Sequence, residues 1–182
     1  MHQDIQEVLF SEEQIRERLR ALGGEIAREY GGDDLVLMAL LKGGVVFISD
    51  LMRHIPIHLE IDFIQASSYG DATVSSGHVG IKVFPEKSFA GKRILLLDDI
   101  LDTGRTLKTV CDRLREQGAR DVRTCVLLDK KARRSEELEA DWAGFEVGDH
   151  FVVGYGLDYA GKYRNLPYIG VLKERCYLSA DA

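Results

Sequence analysis

The stretch ILLLDDILDTGRT at residues 94–106 limits the possible folds more than any other part of this sequence. The run Ile94–Leu97 is typical of a strand buried on both faces, as in the centre of a parallel sheet. Three carboxylates and a Thr-Gly-Arg-Thr turn follow, and open α/β sheets bind ligands at this carboxyl edge. Amides at a helix start favour a phosphate, whereas adjacent carboxylates favour sugar hydroxyls or a metal ion. The turn therefore predicts a phosphorylated sugar as ligand.

The composition predicts one α/β domain covering residues 1–182, since 45% of the residues are hydrophobic and 30% are charged. The sequence has no apolar run near the roughly 20 residues that span a bilayer, and its first residues do not resemble a signal peptide. Cys111, Cys125 and Cys176 are too few and too scattered for a disulfide framework or a zinc site. We therefore expect a cytoplasmic protein with no membrane partner.

The net charge of −6 argues against a general nucleic-acid-binding protein, which would usually be basic. It is compatible with a small polyanionic ligand, because a few placed cations and bound Mg²⁺ can reverse the local field. His54 and His58 are separated by Pro56 and cannot share a helical face, so we expect no zinc site.

The first half of the chain predicts an alternation of helices and strands. Ser11 with Gln14 forms a capping-box pattern, and apolar residues at helical spacing follow it. From this and similar patterns we predict a helix over 11–29, a strand over Leu35–Leu41, a tight turn at Lys42-Gly43-Gly44, a helix from Val45 to about His54 and a strand over 57–63. The polar stretch 67–80 predicts a long mobile loop, and such loops are often lids.

The second half continues this alternation and then becomes irregular. We predict strands near 79–84 and 93–98, a helix over 103–117 ended by Gly118, a strand over 122–128, and short strands near 145–147, 151–153 and 168–172. Alternation over 35–130 predicts a parallel sheet, with the remainder forming a smaller cap.

The turn at 98–106 resembles the phosphoribosyl-pyrophosphate (PRPP) signature of the type I phosphoribosyltransferases. Lys42-Gly43-Gly44 follows the first core strand, as the pyrophosphate-binding loop does in that family, and Leu127-Leu128-Asp129-Lys130 ends the strand after the signature helix. The segment FVVGYGLDYAGKYRNLPYIG at 151–170 narrows the resemblance to the hypoxanthine-guanine branch, in its shorter bacterial form. The resemblance covers about residues 8–173.

This resemblance implies the type I phosphoribosyltransferase fold, a central parallel sheet flanked by helices. The core would comprise about residues 33–130. A small hood would come from the N-terminal segment and about residues 131–182. The family is usually dimeric or tetrameric, so a homodimer or homotetramer is expected.

The resemblance also implies a reaction, in which hypoxanthine or guanine displaces pyrophosphate at C1′ of PRPP, with Mg²⁺ as cofactor. The ribose-phosphate half would contact Asp98, Asp99, Thr103, Gly104, Arg105 and Thr106. The pyrophosphate would contact Lys42, Gly43 and Arg164, and the metal would be held by Asp98, Asp99 and Asp158. The family can have a cis peptide before the loop lysine, here Leu41–Lys42.

The remaining roles concern the base and the lid. The resemblance places Asp102 beside N7 of the purine as the acid or base. Lys130 would donate to the 6-oxo group and select against adenine, Phe151 would stack on the ring, and the Val152 backbone would contact the edge near position 2. Ser68 and Tyr69 would close the lid.

Each candidate also has an ordinary explanation. Asp102 could simply cap the following helix, KKARR at 130–134 could be a solvated basic run, and Phe151-Val152-Val153 could be core. Asp98 stands where the family more often has glutamate, so its reach to the ribose is about one methylene shorter.

Two alternative functions follow from the same resemblance. One is a related transferase preferring xanthine or adenine, although Lys130 argues against adenine. The other is an RNA-binding regulator that keeps the fold, although the net charge of −6 argues against it. The sequence does not rank hypoxanthine against guanine.

Overall fold

In a computed structural model of the protein, residues 1–32, 34–68, 79–85 and 87–178 are described. They form the strands β1 Ile5–Phe10, β2 Leu35–Leu41, β3 Leu59–Ser68, β4 Val79–Val83, β5 Arg93–Leu101, β6 Asp121–Asp129, β7 Trp142–Glu146, β8 Val152–Val153 and β9 Ile169–Leu172. The helices are α1 Glu12–Tyr30, α2 Gly44–Leu51 and α3 Arg105–Glu116.

The central sheet has six strands in the order β4-β3-β2-β5-β6-β7. All neighbouring pairs are parallel except β3–β4, which is antiparallel, so the predicted parallel sheet carries one reversed edge strand. The chain passes from β2 to β3 on one side and then returns to β5 on the other side. The strand order therefore switches between β2 and β5, which is where open α/β sheets bind ligands.

Both faces of the central strands are buried, which explains their continuous apolar runs. Along β2, Leu35, Leu37 and Ala39 pack into one apolar cluster with α1 and α2. Val36, Met38 and Leu40 point to the opposite face and pack into a second cluster with α3. This two-sided burial fixes the register of β2, because a shift of one residue would exchange the two sets.

The predicted helices are confirmed, with some changes at their ends. The Ser11 capping box is formed, and Gly31 ends α1 with φ of 60°. The second helix ends at Leu51 and continues as a 3₁₀ turn over Met52–His54. The third begins at Arg105 rather than at residue 103, after Gly104 with φ of 86°, so the hypothesis that Asp102 caps it is wrong.

Several strand boundaries also differ from the prediction. β5 continues three residues beyond Asp98 because its ladder with β6 extends to Leu101 and Asp129. The two ends of the predicted loop at 67–80 are strands, since β3 and β4 pair between Gln65–Ser68 and Val79–Val83. Residues 69–78 lie outside the described part of the chain.

A second sheet joins the two ends of the described chain in the order β1-β9-β8, with antiparallel pairs. Strand β1 was not predicted, because register irregularities against β9 disrupt its apolar alternation. This sheet has its own small apolar cluster of Ile5, Val153 and Leu172. Within the described residues, the helices are all too short or too polar to cross a membrane.

Candidate active site

A cleft of about 540 Å³ lies at the carboxyl ends of β2 and β5, at the switch in strand order. Seven predicted binding residues line it: Lys42, Gly43, Asp98, Asp99, Thr106, Asp158 and Arg164. These residues come from three separate parts of the sequence. The fold therefore brings the acidic pair, the lysine turn and the C-terminal segment into one site.

The turn after β2 packs closely against Asp99 on one side and against Gly156 on the other. The Leu41–Lys42 peptide bond is cis. A Cβ atom on Gly43 would overlap the carboxylate of Asp99, and one on Gly156 would overlap the carbonyl oxygen of Gly43. Glycine is therefore required at 43 for space alone, since its backbone has ordinary helical angles, φ −59° and ψ −41°.

Asp98 and Asp99 are the last acids of β5 and are both partly buried. The Asp99 amide donates to Asp98 Oδ1 at 2.9 Å. Desolvation and the negative charge of Asp99 raise the pKa of Asp98 well above its usual value. Desolvation also raises the pKa of Asp99, although the Asp98 hydrogen bond and the charge of Arg164 oppose this. The pair is thus costly to keep charged without a cation.

A smaller pocket of about 90 Å³ adjoins this cleft and is lined by residues 102–104 and the start of α3. Among the described residues, Asp102 Oδ1 is buried without a hydrogen-bond partner. Gly104 precedes the helix in a left-handed conformation with φ of 86°, which glycine adopts without strain. The first amides of α3 lie at this pocket, and helix starts of this kind bind anions.

The C-terminal wall of the cleft is formed by Asp158 and Arg164 of the segment 154–166. Arg164 pairs with Asp158 at 2.5 Å, and its second amino group donates to the Gly156 carbonyl at 2.5 Å. The Tyr155 hydroxyl donates to Asp50 Oδ2 of α2 at 2.6 Å. Burial and the Asp50 carboxylate raise the pKa of Tyr155. These contacts fix the C-terminal wall to the helix that follows the lysine turn.

The predicted base-binding residues Lys130, Phe151 and Val152 lie near one another after β6 and at β8. Lys130 directly follows β6 and is 6% exposed. Its ammonium group donates to the His150 carbonyl at 3.1 Å and pairs with Asp149 at 2.8 Å. This pairing lowers the pKa of Asp149. Phe151 is the next residue in the chain after His150, and its side chain is 38% exposed. Val152 is buried in β8.

A sequence profile of the phosphoribosyl transferase domain matches residues 6–160. The chain belongs to this phosphoribosyltransferase family. It is 47% identical to a hypoxanthine-guanine phosphoribosyltransferase of Bacillus subtilis (strain 168), over 98% of this chain and 99% of that protein. The fold is similar to that of a hypoxanthine phosphoribosyltransferase from Staphylococcus aureus, with a TM-score of 0.93, 44% identity, and coverage of 97% and 96% of the two chains.

Relatives of a second kind are much longer. The chain is 48% identical to a bifunctional protein TilS/HprT of Listeria monocytogenes serotype 4b (strain F2365) over 97% of its own length. It spans only 27% of that protein. The phosphoribosyltransferase domain therefore occurs alone in some relatives and as one part of a larger chain in others.

In this member of the phosphoribosyltransferase family, the donor atoms of the cleft fit a divalent metal that takes some of its ligands from outside the protein. Among the described residues, histidines, cysteines and acids form no group of three or more that could hold a metal by themselves. Asp98 and Asp99 nevertheless offer hard oxygen ligands beside a charged wall that contains Asp158. Mg²⁺ is usually bound in this way, by one or two carboxylates together with substrate phosphates and water.

Some predicted residues lie outside these pockets. The Arg105 side chain is exposed and lies 3.9 Å from Glu136, while its amide donates to Thr103 Oγ1 at 3.4 Å. Ser68 is the last residue of β3, and Tyr69 lies outside the described residues.

Sequence reasoning missed three side chains beside the site, namely Arg134, Tyr155 and Tyr177. Arg134 is the one arginine of the KKARR run that is largely buried, with 14% of its side chain exposed. The sequence contains no signal that separates it from its exposed neighbour Arg133. Tyr155 and Tyr177 lie in segments where the apolar pattern is too short to assign a face.

Proposed function

We propose that this protein transfers the 5-phosphoribosyl group of PRPP to hypoxanthine and guanine, releasing pyrophosphate and forming IMP and GMP. The observation that carries the proposal is the cleft that unites Lys42, the Asp98–Asp99 pair and Arg164. Relatives named for hypoxanthine and guanine match the chain almost from end to end, which supports the choice of substrates.

The two pockets divide PRPP between them. The smaller pocket receives the 5′-phosphate, where the amides near Thr103 and Gly104 and the Thr106 hydroxyl serve as donors. The larger cleft receives the pyrophosphate, with Lys42 and Arg164 as the cations that balance its charge. The ribose then lies between them, against Asp98 and Asp99, which accept hydrogen bonds from its hydroxyls.

The charge of the acid pair supports the choice of Mg²⁺ as the cofactor. Asp98 and Asp99 would hold the ion together with Asp158, and such an ion would supply positive charge to offset that of the pyrophosphate. The raised pKa values of the pair show that its charge is poorly compensated by the protein alone. A cation bound together with the substrate would remove this penalty.

The displacement at C1′ requires the base to lose a proton and the electron-poor ribose to be shielded from water. Asp102 is the proposed acid or base, because its buried Oδ1 lacks a partner among the described residues and can therefore engage a ligand. Ser68 and Tyr69 remain proposed as the lid that closes over PRPP.

Lys130 provides the proposed selectivity for 6-oxopurines. An ammonium group has three donors, and two of them point to the His150 carbonyl and Asp149. The third donor can bind the 6-oxo group of hypoxanthine or guanine, but it would face the amino group of adenine, which cannot accept it. Phe151 stacks on the same base, and the backbone of Val152 contacts its position 2.

The assembly and location of the protein are also proposed from the family. A homodimer or homotetramer is expected, as is a cytoplasmic location. The three cysteines support the latter, since all of them are free thiols, as is usual in a reducing compartment.

The deciding experiment is a panel of hypoxanthine, guanine, xanthine and adenine, each incubated with PRPP and Mg²⁺ while pyrophosphate release is measured. We expect release with the first two bases and little with adenine. Release with adenine alone, or none with any base while the protein binds PRPP, would refute the proposed substrates.

A further inference from the structure

We propose that Arg134 is a positioning residue that holds the phosphate-binding loop, residues 101–104, with its amides facing the 5′-phosphate. The inference rests on the proposed function, since it assigns a role toward the ribose-phosphate half of PRPP. Arg134 does not line either of the two pockets that would hold PRPP. It therefore acts through the loop and not by contact with substrate.

The side chain of Arg134 spans the back of the loop. Its Nε donates to the Asp102 carbonyl at 3.0 Å, and Nη2 donates to the Leu101 carbonyl at 3.3 Å. Nη2 also pairs with the carboxylate of Asp129, which orients the guanidinium group. Both side chains of this pair are nearly buried, at 14% and 12% exposure.

The backbone beside Arg134 extends this support to the next residue of the loop. The amides of Ser135 and Glu136 both donate to the Thr103 carbonyl, at 3.1 and 3.2 Å. The amide of Lys130 donates to the Leu101 carbonyl at 2.9 Å. Three consecutive loop carbonyls are thus held from one side by residues 130–136.

The geometry of the peptide bond links these carbonyl contacts to the direction of the loop amides. In a planar trans peptide, the carbonyl of one residue and the amide of the next point in opposite directions. Holding the carbonyls of Leu101, Asp102 and Thr103 therefore directs the amides of residues 102–104 to the opposite side. Residues 102–104 line the small pocket, whereas 134–136 do not. The amides consequently face the proposed phosphate site before any ligand binds.

Arg134→Lys tests this idea while preserving the charge opposite Asp129. A lysine presents a single ammonium group and cannot reproduce the fork of contacts to three carbonyls, those of Leu101, Asp102 and Leu138, and a carboxylate. We expect the loop to lose its fixed orientation. The affinity for ribose 5-phosphate should then fall about tenfold and the KM for PRPP should rise about tenfold, which is the effect of one to two lost hydrogen bonds. The value of kcat should change much less.

Inorganic pyrophosphate supplies the internal control, because it should bind the other cleft. Its inhibition constant should be unchanged in Arg134→Lys. Arg113→Lys, at an exposed position late in α3 where the side chain contacts Glu116, should leave all three constants unchanged. If Arg134→Lys lowers the melting temperature but leaves ribose 5-phosphate affinity intact, Arg134 is only structural and the inference fails.

A second variant covers the possibility that Arg134→Lys does not fold. Arg134→Met combined with Asp129→Asn removes both charges, so no uncompensated ion is left buried. It should show the same selective loss of ribose 5-phosphate affinity, and equal binding to that of the wild type would overturn the inference. The two failures can be distinguished. If the wild-type protein binds neither PRPP nor ribose 5-phosphate, the proposed function itself fails. If the wild type binds them and the Arg134 variants bind them equally well, only the inference about Arg134 fails.

Discussion

Gly43 and Asp99 are in direct contact, although they are 56 positions apart in the chain. The glycine belongs to the turn after β2, and the acid belongs to β5. A side chain at 43 would occupy the space that the Asp99 carboxylate takes. The lysine turn and the acidic pair are therefore a single structural unit, and a change in one displaces the other.

Gly43→Ala should strongly lower the proposed transferase activity without unfolding the protein. Its Cβ would push the Asp99 carboxylate out of the cleft, and misplacement of a binding group by about 1 Å can cost about 10²-fold in rate. Steady-state kinetics would measure the loss in kcat/KM for PRPP. Gly24→Ala is the matched control, since nothing lies within 4 Å of its Cβ and alanine favours helix α1. Full activity in Gly43→Ala would contradict this account of the cleft.

The central sheet was predictable because its strands are buried on both faces. β2 lies where the sequence placed it, at Leu35–Leu41, since a run of seven apolar residues bounded by turn signals is typical of a strand buried on both faces. The strand near 79–84 was also predicted, but its antiparallel pairing with β3, and the pairing of β1 with β9, depend on contacts between separate segments of the chain. Local patterns do not contain that information.

Two-sided burial of the central strands made only part of the site predictable. Asp98 and Asp99 follow a buried strand, so their position at the carboxyl edge could be inferred from the sequence. Lys130, Phe151 and Val152 were identified only through a family resemblance, because a basic run and an apolar triplet have ordinary explanations. The support from Arg134 depends on the tertiary path of residues 130–136, and no periodicity reveals it.

Asp98→Asn should stabilise the ligand-free protein, increasingly so as the pH rises above 4. Burial and Asp99 raise the pKa of Asp98, so the folded state keeps a proton that the unfolded state releases. The wild type therefore loses stability from about pH 4, the usual carboxyl pKa, up to the raised pKa of the folded state, whereas asparagine does not titrate. Urea unfolding without Mg²⁺ at several pH values measures this. If the stability advantage of Asp98→Asn over the wild type shrinks with rising pH, the prediction is wrong.

Lys130→Met should weaken hypoxanthine binding by about 10- to 100-fold, the usual effect of losing a hydrogen bond from a charged donor. It should also narrow the preference for hypoxanthine over adenine. The neighbouring Lys131 is an ideal control, because its exposed ammonium group contacts only Glu146 among the described residues. Lys131→Met should therefore leave the KM for hypoxanthine unchanged, and equal effects of the two substitutions would exclude a specific role for Lys130.

Tyr177→Ala should raise the KM for the base severalfold with little effect on the KM for PRPP. Tyr177 stacks on one face of Phe151, with ring centroids 4.7 Å apart and an angle of 17°. Tyr159 also contacts the Phe151 ring, with centroids 5.4 Å apart and an angle of 89°. Tyr177 thus helps to hold the ring that is proposed to stack on the purine, and loss of an aromatic pair costs about 0.5–1.5 kcal/mol. Tyr177→Phe retains the ring and should restore the wild-type KM. If both variants behave alike, the stack does not position Phe151.

Asp102→Asn should fold normally but lose turnover far more than PRPP affinity. The structure excludes the ordinary role of a helix cap for Asp102, since α3 begins after Gly104 and lacks a side-chain cap. Asparagine keeps the shape of the carboxylate but cannot take up a proton, so kcat should fall about 10²- to 10⁴-fold. Asp112→Asn, at an exposed position of the same helix, is the control. Equal losses in kcat and in PRPP affinity would mean that Asp102 is only a binding residue. A proton acceptor affects the chemical step, whereas PRPP binds before that step.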